Sequence, residues 1–426
     1  MENISPVSLP ESVFEGDYII ATYYYKSQPG IDVYEKAKSF AVGQTLGTWL
    51  PVPGITDEMK LKYGGKVTAI YDVPSVELNN DEDLLSGHII QIAFPDKNFP
   101  PNFPMLFTTL LGNDVSTSAQ VKLIDIKFSK NYLSYFQGPK FGIDGIYKYL
   151  GMEKRRPLVL NMIKPCIGFD AKTGADLFYS VALGKIDFIK DDELLGDTQY
   201  SSVIDRVRFY SQAAKRAYEE IGFLTRYCVN ITDSPEKVIE NAHRVQEAGA
   251  GAIMINYAAV GLSTVKALSE DKSITLPLFG HFASAGAMVE SPYCGISSNL
   301  LLGKLVRMAG ADACMFSSPY STYPILKRRY VQIADALTLK LENLKPAMPV
   351  IGGGVHPNSA IKIVKDLGKE IMLASGGAIF GHPQGPTKGA MAMHKIAEAL
   401  GDDLDINTLA QEESNESLKL ALELWK

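Results

Sequence analysis

The sequence has few cysteines, and their spacing suggests neither a disulfide framework nor a zinc site. Its 426 residues include four cysteines, and no two of them form a C-x-x-C motif. We interpret them as reduced, mostly buried thiols of a cytoplasmic protein. The chain also lacks a basic excess, because its net charge is −6. It therefore offers no general attraction for nucleic acid.

Long apolar runs are missing as well. No stretch approaches the roughly 20 residues that a membrane-spanning helix needs. The amino-terminal residues lack the basic and apolar regions of a secretory signal. We therefore expect no membrane partner. The hydrophobic fraction of 46% with 21% charged residues is typical of a globular protein with a sizeable core.

From about residue 152 onward, short apolar runs alternate with amphipathic helical patterns. Such alternation is typical of a (β/α)8 barrel, the architecture that we predict. The alternative is an open doubly wound sheet, but no G-x-G-x-x-G fingerprint follows the first run. The eight runs are residues 158–165, 186–193, 225–231, 251–257, 276–282, 313–318, 349–355 and 371–377.

The amino-terminal third of the chain has a different pattern, with strand-like runs and one amphipathic helix, residues 31–45. We predict a smaller α+β domain of the ferredoxin-like kind over residues 1–147. The barrel domain would follow over residues 148–426 and end in a helical tail. The predicted strands of the first domain are residues 18–26, 65–73, 88–94 and 121–128.

Polar side chains follow several predicted barrel strands at their carboxyl ends, where such barrels carry out their chemistry. Lys164 follows the first strand, and His281 ends the fifth. Glycine pairs close the last two strands. Such pairs leave backbone N–H groups open to a phosphate group. The candidate phosphate-binding glycines are Gly353, Gly354, Gly376 and Gly377.

The segment "KDDE" (190–193) ends the second strand and places a lysine beside three carboxylates. It is either an ordinary charged strand end or a metal site. The second interpretation requires Lys190 to lose its positive charge, because an ammonium group repels a divalent cation. Side chains alternate along a strand, so Lys190 and Asp192 share a face while Asp191 points away. Glu193 lies at the turn and can swing in.

These residues together resemble the large subunit of RuBisCO and its RuBisCO-like relatives. The resemblance covers nearly the whole chain in the family's order. It implies that Lys190 is carbamylated by CO2 and binds Mg²⁺ with Asp192 and Glu193. This oxygen-rich set suits Mg²⁺ better than zinc. The six phrases are "GTW" (47–49), "LLGN" (110–113), "FQGPKFGI" (136–143), "IKPCIG" (163–168), "DFIKDDE" (187–193) and "GHP" (381–383).

The resemblance also implies catalytic roles for Lys164 and His281 beside Lys190. It further implies a homodimer whose active sites are shared across the interface. In that arrangement Thr48, Trp49 and Asn113 of one chain would bind substrate over the barrel of its neighbour.

Several positions depart from the RuBisCO pattern. Cys166 replaces the second lysine of the first-strand motif, and Phe282 and Met315 replace an arginine and a histidine that hold a second phosphate. The loop "FSSPYSTYP" (316–324) has Thr322 where RuBisCO has a lysine. An apolar surface thus replaces cationic anchors, and Phe282 and Met315 become candidate substrate contacts. We expect no CO2 fixation.

The carboxyl-terminal half is most similar to the methionine-salvage enolases, which act on 2,3-diketo-5-methylthiopentyl-1-phosphate. Three phrases carry this similarity: "SPYCGISSNLLLGKLVRMAGAD" (291–312), "SSPYSTYP" (317–324) and "LKLALELWK" (418–426). Asn113 stands where those enolases have a catalytic lysine. We predict a Mg²⁺-dependent enzyme that abstracts a proton next to the carbonyl of a sugar monophosphate.

Three alternatives to an enolase remain open. The first is an isomerase or epimerase acting on 5-methylthioribulose 1-phosphate or a similar molecule. The second is a decarboxylase of a 3-oxo sugar-acid phosphate, which passes through the same enolate. The third is a protein without catalytic activity that senses a sugar phosphate.

Overall fold

The computed structural model describes residues 4–48, 52–75, 87–117 and 119–425. Its contacts divide the chain into two compact units. The first consists of Met1–Phe136 with Ala285–Leu301, and the second of Gln137–Ser284 with Leu302–Lys426. The domain boundary predicted at residue 147 stays a prediction.

The strands, in chain order, are β1 (Tyr18–Lys26), β2 (Lys66–Val73), β3 (Gly87–Pro95), β4 (Gln120–Lys127), β5 (Leu158–Met162), β6 (Phe188–Lys190), β7 (Arg226–Asn230), β8 (Ala252–Asn256), β9 (Leu278–His281), β10 (Gly295–Ile296), β11 (Ala313–Ser317), β12 (Met348–Gly352) and β13 (Met372–Ala374).

The helices are α1 (Val33–Gly43), α2 (Asp57–Tyr63), α3 (Phe103–Leu110), α4 (Asn113–Ser116), α5 (Lys130–Leu133), α6 (Gly142–Tyr149), α7 (Ala171–Ala182), α8 (Val203–Ile221), α9 (Pro235–Glu247), α10 (Tyr257–Val260), α11 (Leu262–Glu270), α12 (Gly286–Val289), α13 (Val306–Ala309), α14 (Lys327–Thr338), α15 (Pro357–Leu367), α16 (Gly377–Phe380), α17 (Pro386–Gly401), α18 (Ile406–Leu409) and α19 (Glu416–Leu424). A π-helical turn, Leu300–Leu305, precedes α13.

The first unit is built on a sheet in the order β10-β4-β1-β3-β2. Strand β1 pairs antiparallel with both β3 and β4, and β2 pairs antiparallel with β3. Helices α1 and α3 fall between β1 and β2 and between β3 and β4, which gives the ferredoxin-like order of elements. The predicted α+β domain is therefore confirmed. The short β10 joins β4 in parallel from a distant part of the chain.

The second unit is a closed barrel of eight parallel strands, β5 to β9 and β11 to β13, in which β13 pairs with β5. This confirms the predicted (β/α)8 barrel. Inward side chains such as Leu160, Phe188 and Met254 form its buried core. Because side chains alternate along each strand, the residue two positions after an inward core residue also faces the barrel interior.

Buried carboxylates fix the amino-terminal ends of the barrel strands. Asp187 forms a bidentate ion pair with Arg156, with distances of 2.8 and 2.9 Å, and accepts the N–H of Val159 at 2.8 Å. Asp312 accepts the backbone N–H groups of Gly142 and Leu278 at 3.0 and 2.9 Å. These contacts lie at the ends of the strands opposite to those that carry the candidate site.

Among the described residues, no helix is both long and apolar enough to cross a lipid bilayer.

Candidate active site

The carboxyl ends of three barrel strands bring the predicted catalytic and metal-binding residues together. Lys190 and His281 are the last residues of β6 and β9. Lys164 lies two residues after β5, and Asp192 and Glu193 lie in the turn after β6. We refer to these five residues as the lysine–carboxylate cluster.

The members of the cluster contact one another through charged atoms. The Nζ atom of Lys164 is 2.7 Å from Oδ2 of Asp192. The Oε2 atom of Glu193 is 3.3 Å from Nζ of Lys190 and 3.3 Å from Nε2 of His281. Lys190 has no exposed surface, and Asp192 and His281 are also buried. Lys164 and Glu193 are half-buried, so the cluster is a largely buried network of ion pairs rather than a solvated strand end.

Asp191 turns away from the cluster, as the alternation along the strand predicts. Its carboxylate is 3.1 Å from the guanidinium nitrogens of Arg206 on α8. It also accepts the hydroxyl of Tyr227 at 2.7 Å and the backbone N–H of Asn230 at 3.0 Å. Since Asp191 and Arg206 are both buried, this pair fastens the turn after β6 to the neighbouring elements.

Two asparagines that the sequence prediction did not single out hold the same turn. The Nδ2 atom of Asn230 donates to the carbonyls of Glu193 and Leu195, both at 3.2 Å. The Nδ2 atom of Asn256 donates to the carbonyl of Glu193 at 3.1 Å. Each asparagine ends a buried barrel strand, β7 or β8. The sequence signal that could have identified them is an amide side chain at the carboxyl end of an otherwise apolar barrel strand.

The charges of the cluster shift the pKa values of its members. Burial alone would lower the pKa of Lys164, but hydrogen bonds to Asp192 and Cys166 raise it. Burial would raise the pKa of Asp192, but its hydrogen bonds with Lys164 and Cys166 lower it. Burial would likewise raise the pKa of Glu193, but the charge of Lys190 lowers it. Ion pairing therefore dominates over desolvation at these three groups.

His281 is neutral in this environment. Burial and the charge of Lys190 lower its pKa to about 3. Its Nδ1 atom accepts the backbone N–H of Ala283 at 3.1 Å, so the ring proton of the neutral form lies on Nε2. That N–H points to Glu193. His281 is thus a hydrogen-bond donor towards the cluster.

The donor atoms of the cluster fit a magnesium ion. In the described parts of the chain, no three histidine, cysteine, aspartate or glutamate side chains are grouped to hold a metal ion. Asp192 and Glu193 would therefore need another ligand, and Lys190 is the adjacent group. A carbamate would turn that cation into an anionic oxygen donor. Three carboxylate-type ligands suit Mg²⁺.

The glycines predicted to bind phosphate lie in the loops after β12 and β13. Gly353 and Gly354 have φ angles of +87° and +91°, which favour glycine. A Cβ at Gly376 would lie 3.3 Å from Cε of Lys164, so this glycine lets the lysine approach the backbone. Gly377 begins α16 and has open space where a Cβ would stand.

The loop after β11, which bears Thr322 in place of the family lysine, lies against the loop after β12. The N–H of Thr322 donates to the carbonyl of Gly353 at 2.8 Å. The hydroxyl groups of Ser317 and Ser321 are 2.5 Å apart. Uncharged hydroxyl groups therefore occupy the described part of this loop next to a candidate phosphate-binding glycine.

Phe282 and Met315 are associated with the apolar core of the barrel. The ring of Phe282 stacks on His281 with centroids 5.2 Å apart. Met315 is 5% exposed and belongs to the buried core cluster, against which Phe282 also packs. Both contribute apolar surface close to the strand ends, and their contact with substrate stays a prediction.

The residues predicted to serve a partner subunit lie in the first unit. Thr48 is partly buried and lines a cavity of about 650 Å³ together with Leu46 and Lys60. Asn113 is exposed and begins α4. Trp49 lies outside the described residues. The contribution of these three residues to a shared site stays a prediction.

Comparison with known proteins identifies the family. The family model described as ribulose bisphosphate carboxylase large chain, catalytic domain, matches residues 142–318 and 334–425. The model for its N-terminal domain matches residues 11–132. A ribulose bisphosphate carboxylase-like protein from Archaeoglobus fulgidus is 40% identical over 99% of this chain and 96% of its own. A 2,3-diketo-5-methylthiopentyl-1-phosphate enolase from Bacillus licheniformis is 35% identical over 96% of this chain and 98% of its own.

Solved structures agree with this assignment. A RuBisCO-like protein (MtnW) from Alicyclobacillus acidocaldarius has a TM-score of 0.88 and 30% identity, covering 96% of this chain and 100% of its own. A dimeric archaeal Rubisco from Hyperthermus butylicus has a TM-score of 0.87 and 26% identity, covering 99% of each chain. The chain belongs to the RuBisCO large-chain family, which confirms the resemblance stated from its motifs.

Proposed function

We propose that this member of the RuBisCO large-chain family is an enolase-type enzyme that removes a proton next to the carbonyl of a sugar monophosphate. The observation that carries the proposal is the lysine–carboxylate cluster, which joins two lysines, two carboxylates and a neutral histidine at the carboxyl ends of the barrel strands. A protein that only binds a sugar phosphate has no need of this buried, costly arrangement.

Asp192 and Glu193, with Lys190 as a carbamate formed from CO2, would hold Mg²⁺ in this site. A magnesium ion there would act as a Lewis acid towards a bound carbonyl oxygen. The carbamate oxygen of Lys190 is one candidate base. Glu193 is already turned into the cluster, where it accepts from His281 as well as Lys190.

Lys164 is the second candidate base, and its contacts define when it can act. Burial would lower the pKa of Lys164, but its hydrogen bond to Asp192 raises that pKa above the ordinary value. Lys164 therefore holds its proton as long as Asp192 is its partner. If Asp192 turns to a cation, Lys164 loses its counter-charge, and its half-buried position then favours the neutral amine. His281, whose Nε2–H points inward, would orient Glu193 or substrate rather than take the proton.

The monophosphate preference rests on what replaces the cationic anchors of the carboxylase. Gly353, Gly354, Gly376 and Gly377 supply one candidate phosphate cradle. Phe282 and Met315 supply apolar surface where a second phosphate would need a cation. The relatives named 2,3-diketo-5-methylthiopentyl-1-phosphate enolases act on a monophosphate by name, which supports the same substrate class here. CO2 fixation on a bisphosphate is not expected.

We further propose a homodimer in which Thr48, Trp49 and Asn113 complete the partner's site. The dimeric relative from Hyperthermus butylicus supports this assembly. Asn113 differs from the lysine of the enolases at this position, so an isomerase or epimerase of 5-methylthioribulose 1-phosphate remains the second candidate. A decarboxylase of a 3-oxo sugar-acid phosphate is the third, since it forms the same enolate.

The test is solvent deuterium exchange, followed by NMR, into a panel of ketose phosphates. The enzyme, preincubated with bicarbonate and Mg²⁺, should exchange the proton next to the carbonyl of 2,3-diketo-5-methylthiopentyl-1-phosphate. Lys190→Ala should abolish the exchange. Lys215→Ala, which alters a lysine with 79% side-chain exposure, is the matched control and should leave it intact.

The outcomes separate the candidates. Conversion of 5-methylthioribulose 1-phosphate without exchange into the diketone would favour the isomerase or epimerase. If no ketose phosphate of the panel takes up deuterium, the result would favour a protein that senses a sugar phosphate without catalytic activity. Full activity in CO2-free, metal-chelated buffer would contradict the carbamate and Mg²⁺ assignment while leaving the enolase chemistry standing.

A further inference from the structure

Asn256 has an unexplained polar atom beside the lysine–carboxylate cluster. It ends β8, two residues after the inward core residue Met254, so its side chain faces the barrel interior. Its register partner on the neighbouring strand is His281. Its Nδ2 atom donates to the carbonyl of Glu193, but its Oδ1 atom is buried and has no hydrogen-bond partner among the described residues.

A buried amide oxygen without a donor is unfavourable, by about 1–3 kcal/mol. The orientation of the amide is fixed, because the nitrogen must face the carbonyl of Glu193. The N–H of His281 is directed at Glu193, and the ammonium of Lys190 donates to the carbonyl of Asp191 at 2.9 Å and to Glu193 at 3.3 Å. Because Asn256 lies beside Glu193 and His281, an occupant of the site is in a position to supply the missing donor.

We propose that Asn256 is a positioning residue for the cation, an inference that rests on the Mg²⁺ site of the proposed function. Its amide nitrogen holds the backbone of Glu193, and its amide oxygen accepts a hydrogen bond from a water molecule bound to the cation. Groups behind the direct ligands orient them, and their loss commonly weakens metal binding by about 10–100-fold.

Thr232 supports the placement of Asn256. The Thr232 hydroxyl accepts the backbone N–H of Asn256 at 2.9 Å and donates to Oδ1 of Asn230 at 2.6 Å. The two asparagines that hold the turn after β6 are thereby tied together. Unlike Asn256, Asn230 has its amide oxygen satisfied within the protein. Only Asn256 of this pair offers an acceptor to an occupant.

The chain offers a matched control in Asn161 on β5. It too is buried and donates once, to the carbonyl of Ser375 at 2.8 Å, and its Oδ1 atom has no partner in the part of the chain that the structure describes. It lies between Leu160 and Met162, which face or pack on the barrel core, so its own side chain points outward. Replacing either asparagine by leucine removes equivalent atoms, but only Asn256 is next to the cation ligands.

The experiment measures Mn²⁺ binding by electron paramagnetic resonance in bicarbonate buffer without substrate, with Mn²⁺ standing in for Mg²⁺. Asn256→Leu should weaken Mn²⁺ binding by about 10–100-fold. Asn161→Leu should leave Mn²⁺ affinity unchanged, even if it lowers the melting temperature as much. Asn256→Ala removes the same polar atoms without adding bulk, and it serves if the leucine variant does not fold.

Wild-type Mn²⁺ affinity in both Asn256 variants would overturn the role of Asn256 and leave the proposed function intact. An equal loss in the Asn161 variant would also overturn it, because the effect would then be structural. Absence of Mn²⁺ binding by the wild-type protein would overturn the cation site itself, and this inference with it.

Discussion

Asp191 and Asp192 are neighbours in sequence, yet they should respond to the same substitution in opposite ways. Asp191→Asn should lower stability and leave cation binding nearly intact, because its carboxylate contacts Arg206 and Tyr227 outside the cluster. Asp192→Asn should abolish cation binding at little cost in stability. Its partner Lys164 is 33% exposed and can be solvated by water.

The size of the stability loss in Asp191→Asn follows from the burial of Asp191 and its partner Arg206. Asp191 and Arg206 are 1% and 0% exposed, so neutralising Asp191 leaves a guanidinium group buried without a counter-charge. Breaking a buried pair in this way costs about 3–5 kcal/mol. For a unit of this size, the loss corresponds to a melting temperature lower by roughly 5–10 °C. Carbonyl groups of Gly196 and Ser201 still accept from Arg206, which keeps the cost from being larger.

The assay combines thermal melts followed by circular dichroism with Mn²⁺ binding in bicarbonate buffer. Asp191→Asn combined with Arg206→Met should recover part of the lost stability, because the uncompensated charge is then removed. A melting temperature of Asp191→Asn within 1–2 °C of wild type, outside the range expected for a buried pair, would refute the role assigned to Arg206. A loss of Mn²⁺ binding equal to that of Asp192→Asn would show that Asp191 faces the cluster.

Three further predictions concern the rest of the site. In metal-free, CO2-free buffer, the free energy of unfolding should fall as the pH drops below 6.5, because the histidine takes up a proton in the unfolded state but not in the folded state, where the pKa of His281 is about 3. His281→Gln should reduce the slope of the free energy of unfolding against pH by up to about 1.4 kcal/mol per pH unit. Equal slopes for the wild-type protein and the variant would contradict this prediction. Gly353→Ala should raise KM for the phosphorylated substrate, because the added methyl group would press on Ser321 in the loop after β11. Gly368→Ala is the control, since Gly368 has a similar positive φ but open space around it; it should lower only the free energy of unfolding, by about 1–2 kcal/mol of backbone strain. The value of kcat/KM for a methylthio-ketose 1-phosphate should exceed that for the matching 1,5-bisphosphate by about 10³-fold or more. The double variant Phe282→Arg with Met315→His should reduce this ratio. Equal kcat/KM values for the two substrates in the wild-type enzyme would contradict the proposal that Phe282 and Met315 exclude a second phosphate.

The sequence was sufficient to predict the fold because the barrel strands are buried on both faces. Their apolar runs are then continuous and easily recognised, and each of the eight predicted runs contains or overlaps a barrel strand. Segment β10 was not predictable in this way. It is two residues long and joins β4 from more than 170 positions away, with no local pattern to mark it. Such a contact depends on the path of the whole chain.

The candidate site was predictable as a set of residue types, but not as a set of partners. The alternation along β6 predicted which face Asp191 and Asp192 would take. It could not reveal that Arg206 on α8 would neutralise Asp191, or that Asp192 would raise the pKa of Lys164. Those facts depend on distances between elements that meet only when the barrel closes.

The charge of the cluster explains why two lysines and two carboxylates occur together in a buried place. Lys164 and Lys190 balance Asp192 and Glu193 while His281 is neutral, so the metal-free protein buries no net charge there. Converting Lys190 to a carbamate would replace one positive charge by a negative one and leave the cluster two charges negative. A divalent cation would restore neutrality for as long as Lys164 keeps its proton, before it becomes the neutral amine that could act as a base. The ammonium form without a cation and the carbamate form with a divalent cation both avoid the cost of an uncompensated buried charge. A carbamate without the cation, or a cation without the carbamate, would leave such a charge. On this account, Lys190 suits the cluster both as an ammonium and as a carbamate, since a third carboxylate in its place would leave the cluster two charges negative without a cation.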